Sequence, residues 1–203
     1  MQGHRFLSHF RRAEDGIAYL EFALVLPVLL TLFMGAIEVT RYVLITQKTQ
    51  KVAMTVADVV AQAQTISTGN LANIVDAASQ IMQPYTFGNN GYVIISSVTQ
   101  TGAPTVSNPP KVSWQYTGGG TMSPAPSSKI GTTGGTATLP NTLPLNAGDN
   151  IITAEVYYNY TPMIATNGIL GNNLIYQVGL YKPRLGSLST LSMLYLLEKG
   201  TML

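Results

Sequence analysis

The chain has no cysteine among its 203 residues. Disulfides, thiolate metal sites and a cysteine nucleophile are therefore excluded, and the redox compartment is left open. Histidine is nearly as scarce: His4 and His9 are the only two, and both precede the first apolar segment. Charged residues make up 10% of the chain and the formal net charge is +2, with no basic stripe interleaved with aromatics, so nothing points to nucleic acid as a partner. Beyond Ala63 the carboxylates are Asp76, Asp149, Glu155 and Glu198, and the cations are Lys111, Lys129, Lys182, Arg184 and Lys199. No motif links them into the nucleophile, base and orienting group that a catalytic site needs. Gly118-Gly119-Gly120 and Gly134-Gly135 lack the lysine and helix start of a phosphate loop. A non-catalytic protein is expected, with no cofactor, no metal and no small-molecule substrate.

What the chain does have is a long apolar run. Phe22 to Ile37 carries no charge, and with Ile17–Leu20 the segment reaches about 20 residues, enough to cross a hydrocarbon core of about 30 Å as a helix. Thr31, Gly35 and Pro27 interrupt it, and all are tolerated in membrane helices. Pro27 removes a backbone donor and crowds the carbonyl of Ala23, so a kink or loosened turn is expected there. Glu21 stands at the N-terminal edge, where an unpaired carboxylate against hydrocarbon is costly and marks a functional group. Three kinds of segment fit this pattern. A cleaved secretory signal has a shorter apolar region and a small-residue cleavage site. A plain signal anchor remains possible. The third is a prepilin-type signal, whose basic leader is removed while the helix is kept. Arg5, Arg11 and Arg12 before the span are balanced by Arg41, Lys48 and Lys51 after it. Because long polar domains translocate largely regardless of charge, the N-terminus is placed in the cytoplasm and the C-terminal domain in the periplasm or at the surface.

Glu14-Asp15-Gly16, followed by Ile17-Ala18-Tyr19-Leu20-Glu21-Phe22, resembles the processing site of the TadE/TadF-like pseudopilins of the tight-adherence (Flp) type IV pilus system. Phe22-Ala23-Leu24-Val25-Leu26-Pro27 is similar to the block that follows in that family. Tyr158-Asn159-Tyr160-Thr161-Pro162 and Lys182-Pro183-Arg184 are weaker likenesses. The strong part runs from Gly16 to about Ala63. The resemblance implies cleavage after Gly16 by a prepilin peptidase and a mature chain beginning at Ile17. It also implies a glutamate one turn in (Glu21), an aromatic after it (Phe22), residence in the bacterial inner membrane, and other pilus-assembly subunits as partners. The residues support this chemistry independently. Glycine before the scissile bond enters a protease cleft in conformations barred to other residues. The ammonium freed at Ile17 would lie on the same helix face as Glu21, and the pair costs far less in low dielectric than either charge alone. A permanently anchored binding module is the alternative, and an anchored enzyme a remote third.

The organisation expected is a leader over 1–16, a transmembrane helix over 17–38, an amphipathic extension over 39–64 and an extracytoplasmic domain over 65–203. Tyr42, Ile45, Thr49, Val52, Val56, Val59 and Ala63 alternate at three and four, an amphipathic stripe. Glu38 and Arg41, three apart, are expected to pair where the helix leaves the bilayer. Asn70 is expected to cap a second helix from Leu71 to Gln83, closed by Pro84. Tyr92–Thr99 and Lys111–Thr117 read as strands, with Trp114 on a packed face. Ile151–Tyr160 places Ile152, Ala154, Val156, Tyr158 and Tyr160 on one face and Glu155 on a solvated one, after turn chemistry at Asp149. Leu174–Tyr181 answers it as an antiparallel partner across a turn at Asn167-Gly168. Thr117–Asn150, rich in Gly, Pro, Ser and Thr, reads as a long mobile loop that buries little apolar surface. Leu188, Leu191, Leu194 and Leu197 suggest a short helix in the tail. The fold class is α+β: a long N-terminal helix followed by a small antiparallel β-sheet domain, pilin-like in outline.

Overall fold

The structure, a computed structural model, describes residues 14–140, 143–163 and 173–192. The leader up to residue 13, the turn at Asn167-Gly168, and Leu194 and Leu197 lie outside the described residues. One helix, α1 (Glu14–Ala61), runs without a break through Pro27, and Thr31 Oγ1 donates to the Pro27 carbonyl at 2.8 Å. A shorter helix, α2 (Thr68–Ser79), continues as a 3₁₀ turn over Gln80–Met82. Four strands follow: β1 (Gly91–Thr99), β2 (Lys111–Gly118), β3 (Asn150–Tyr160) and β4 (Asn173–Tyr181). They form one antiparallel sheet in the order β2-β1-β3-β4. The α+β architecture is as expected, and the β3–β4 pairing is the one inferred from their alternation.

The two halves of α1 obey different solvents. From Ile17 to Val39 the large apolar side chains are exposed. From Ile45 onward one stripe is buried: Ile45, Thr49, Val52, Ala53, Val56, Ala57, Val60 and Ala61. The stripe differs from the expected one at its end, where Val59 is 41% exposed and Val60 fully buried. Alternating threes and fours amount to 3.5 residues per turn, which drifts about 20° per heptad from a real helix. Thr49 satisfies its buried hydroxyl on the Ile45 carbonyl at 2.8 Å. Lys48, off the buried stripe, donates to the carbonyls of Ile81 (3.1 Å) and Gln83 (2.8 Å), closing the 3₁₀ turn after α2. The cap of α2 is Ser67 rather than Asn70: its Oγ accepts from the Asn70 N–H at 3.3 Å. The N-cap hydroxyl serves the amide three residues on, so the expected cap is the recipient.

Against this stripe lies the sheet face bearing Val93, Ile95, Trp114, Ile152, Ala154, Val156, Tyr158, Tyr160 and Ile175. The closest approach is at Gly179, where an added Cβ would stand 2.4 Å from the Ala53 carbonyl oxygen. The chain after β4 straps the same core. Arg184 N–H donates to the Ala61 carbonyl (3.0 Å) and its guanidinium pairs with Asp58 (2.8 Å). The Leu188 carbonyl accepts from Trp114 Nε1 (2.7 Å) and Ser97 Oγ (2.8 Å), and its N–H donates to Asn150 Oδ1 (3.0 Å). Ser192 then donates twice to the Ile66 carbonyl. The expected tail helix is not what the described part forms: Leu188 is held as an extended strap.

The second face of the sheet is also covered. Ile130, Ala137, Leu139 and Leu145 pack on Val98, Val112 and Ile151. The segment after β2 thus buries apolar surface that its composition seemed too poor to supply. Its few aliphatic residues are widely spaced, yet Ile130, Ala137, Leu139 and Leu145 all reach the sheet while Leu143 stays exposed.

Gly179→Ala is predicted to destabilise the folded domain by about 1–3 kcal/mol, because backbone cannot yield as a flexible side chain does. Thermal unfolding followed by circular dichroism should show a lowered midpoint. An unchanged midpoint would mean that helix and sheet do not meet there.

Candidate functional site

The four residues that the processing motif singles out all sit on the first turns of α1. Gly16 is already helical, Ile17 and Phe22 are 62% and 58% exposed, and Glu21 is exposed one turn above Ile17. The helix brings Ile17 and Glu21 onto one face. Among the described residues no domain element covers them, so their surroundings are set by the solvent of the span. This is the one helix among the described residues that is long and apolar enough to cross a membrane.

A second polar cluster stands where the span ends, and its geometry departs from expectation. Glu38 is 3% exposed. Its carboxylate accepts from the Tyr160 hydroxyl and from the Met163 N–H, at 3.3 and 3.2 Å to its two oxygens. Glu38 is thus held against the end of β3 rather than standing on an open helix surface. Tyr42 packs edge-on against Tyr160, with ring centroids 5.2 Å apart. Burial, and then the hydrogen bond to Glu38, push the Tyr160 hydroxyl up to about 12. Arg41 Nη1 is buried with no hydrogen-bond partner among the described residues. Beside it a cavity of about 300 Å³ opens between α1, the 84–90 segment and the end of β3. The spacing of Glu38 and Arg41 and the tyrosines of Tyr158-Asn159-Tyr160 were the available signals; nothing in the sequence showed that they converge.

Glu155 looks at first like a catalytic carboxylate. It is fully buried, which corrects the solvated placement expected from alternation: the loop covers the face assumed to meet water. It accepts from Ser128 Oγ, Lys129 N–H (2.8 Å), Tyr176 hydroxyl (3.0 Å) and Tyr157 hydroxyl (3.3 Å). Lys129 Nζ stands 4.0 Å over the Tyr176 ring. Three donors converge on Oε1 and one on Oε2, from the loop, from β4 and from β3 itself. The arrangement is a clasp that fastens the loop to the sheet. Burial first, then the Glu155 charge, push the Tyr157 and Tyr176 hydroxyls well above the ordinary tyrosine range. No cluster of metal-ligating side chains occurs among the described residues.

With this geometry in place, the comparisons with known proteins are narrow and specific. A family model described as TadE-like protein matches residues 16–58, which bears out the resemblance carried by Gly16–Pro27. The match covers the span and most of the amphipathic half of α1 and none of the sheet. No curated protein and no solved structure matches the chain.

Tyr157, Tyr160 and Tyr176 are held protonated in the fold above the unfolded value of about 10. Their contribution to stability is complete below pH 10 and is lost as pH rises from there toward 12 and beyond. Absorbance titration should therefore show a set of tyrosines that ionise late, together with unfolding. A single transition near 10 for all tyrosines, with the fold intact, would contradict the burial described.

Proposed function

We propose that the chain is a non-catalytic minor pilin or pseudopilin of a tight-adherence-type pilus. In this reading a prepilin peptidase cuts it after Gly16. The observation that carries the reading is the TadE-like match, which begins at Gly16, the residue the processing motif marks. Three physical features support it. Gly16 weakens the helix at the bond to be cut, since glycine costs a helix about 1 kcal/mol relative to alanine. Cleavage there would leave the ammonium of Ile17 one turn from Glu21, so that each charge offsets the other in hydrocarbon. The exposed apolar face from Ile17 to Val39 is the surface by which such helices pack on sister subunits or in lipid.

The mature protein would lie in the bacterial inner membrane as a single-pass anchor, with its N-terminus toward the cytoplasm and its sheet domain in the periplasm or at the surface. Its partners would be the peptidase and other pilus-assembly subunits. It would act by placing the rigid helix and the domain it carries, without chemistry of its own.

Intact mass of the membrane-extracted protein, with and without a co-expressed cognate prepilin peptidase, tests the proposal. A species beginning at Ile17 is expected, and it should disappear when Gly16 is replaced by a bulky residue. A chain retaining its leader despite a verified active peptidase would overturn processing and leave a permanently anchored binding module as the better reading.

A further inference from the structure

The cavity beside Arg41 is unexplained by processing or by helix packing. Arginine offers a planar fork of donors suited to phosphate oxygens, and one of those donors, Nη1, is buried without a partner among the described residues. Leaving such a donor unmet is costly, so the site favours an acceptor. Thr86, Asn90 and Thr161 add polar groups to the lining, and Tyr85 and Tyr158 supply aromatic walls. Among the lining residues Arg41 is the one basic side chain, and none is acidic. Of the nearby charges on the same helix, Glu38 is engaged by the Tyr160 hydroxyl and the Met163 amide. Lys48, nearly two turns above Arg41, is engaged by the Ile81 and Gln83 carbonyls.

Height along α1 identifies the ligand's source. A hydrocarbon core of about 30 Å takes about 20 residues of helix, so a span entered at Ile17 is left near Ile37. Arg41 is one turn further, about 6 Å up the axis, which is the level of lipid headgroups. Tyrosines cluster at that level in membrane proteins because one end of the ring is apolar and the other wet. We propose that the cavity receives the phosphodiester of a membrane lipid headgroup, with Arg41 as its cationic partner. The site sits at the junction of anchor and domain, so an occupied cavity would fix how deeply the helix sits and how the sheet stands on the bilayer. This inference rests on α1 spanning the membrane and is independent of cleavage after Gly16.

Native mass spectrometry of the full chain, released from detergent and titrated with phosphatidylglycerol, tests the site. One lipid should bind in preference, with affinity about tenfold lower in Arg41→Gln, the loss expected when a charged hydrogen bond is removed. Lys51→Gln, which removes an exposed charge nearby, should leave binding unchanged. Inorganic phosphate should not displace the lipid. Equal binding by wild type and Arg41→Gln would overturn the proposal, as would an equal loss in Lys51→Gln. Displacement by phosphate alone would assign the cavity to a free anion and overturn the lipid. A second measurement needs no variant. Wild-type protein in vesicles containing a headgroup-photoreactive phosphatidylglycerol should be labelled at Tyr85–Asn90 and Asn159–Thr161. Labels confined to the exposed helix would overturn the site. Vesicle flotation of the same sample separates failure of the cavity from failure of the anchor, and an uncut chain that floats should still be labelled in the cavity.

Discussion

One unbroken helix carries two kinds of surface, and the rest of the structure depends on that constraint. The first half of α1 has apolar side chains on every side and buries almost none of them against the protein. Its second half has a single apolar stripe and buries it completely. The first half is long and apolar enough to cross a membrane, and as a helix it satisfies its backbone internally. In water the second half is stable because the sheet covers its stripe, since most helical stability in proteins comes from packing an amphipathic face. The change of regime falls within one turn, at Glu38 and Arg41. A polar cluster there is the physical answer to a surface that is neither oil nor water.

The sheet has to be covered twice. Its helix-facing side is apolar by alternation, and the close approach at Gly179 lets backbone meet backbone. Its other side would expose Val98, Val112 and Ile151 were it not for the long segment between β2 and β3. That segment is fastened by an ionisable group rather than by bulk hydrophobicity. Glu155 collects four donors in a buried site, an arrangement that is costly unless nearly all of its hydrogen-bonding capacity is met. A poor apolar composition and a demanding carboxylate are complementary: the second supplies the fastening that the first cannot.

Much of this was legible in the residues. The span, the Gly16–Pro27 motif, the strands and the α+β class all follow from local patterns, namely hydropathy length, period two and period 3.6. The misplaced features share one physical cause. Strand alternation puts Glu155 on the face away from the core, Lys48 follows the span among its balancing cations, and Glu38 stands where the span ends, so local pattern gives none of them a distant partner. Each is engaged by a partner far along the chain: Ser128 and Lys129 for the buried Glu155, Tyr160 and Met163 for the buried Glu38, Ile81 and Gln83 for the half-buried Lys48. Periodicity says which side of an element faces a core. It does not say that the opposite side will find a second cover. The cap at Ser67 and the burial of Val60 were smaller misses, decided by one residue of register.

The strap at Leu188 has a consequence for how the protein is made. Trp114, Ser97 and Asn150 all bond to the backbone of Leu188, so three buried polar groups from three strands wait for a segment synthesised after every strand is complete. The anchor, by contrast, emerges from the ribosome first. Between those two moments the domain holds its strands with the helix stripe only partly covered and its central polar groups unmet. During synthesis the long helix is therefore made early and the sheet domain is sealed late, by a segment that follows every strand.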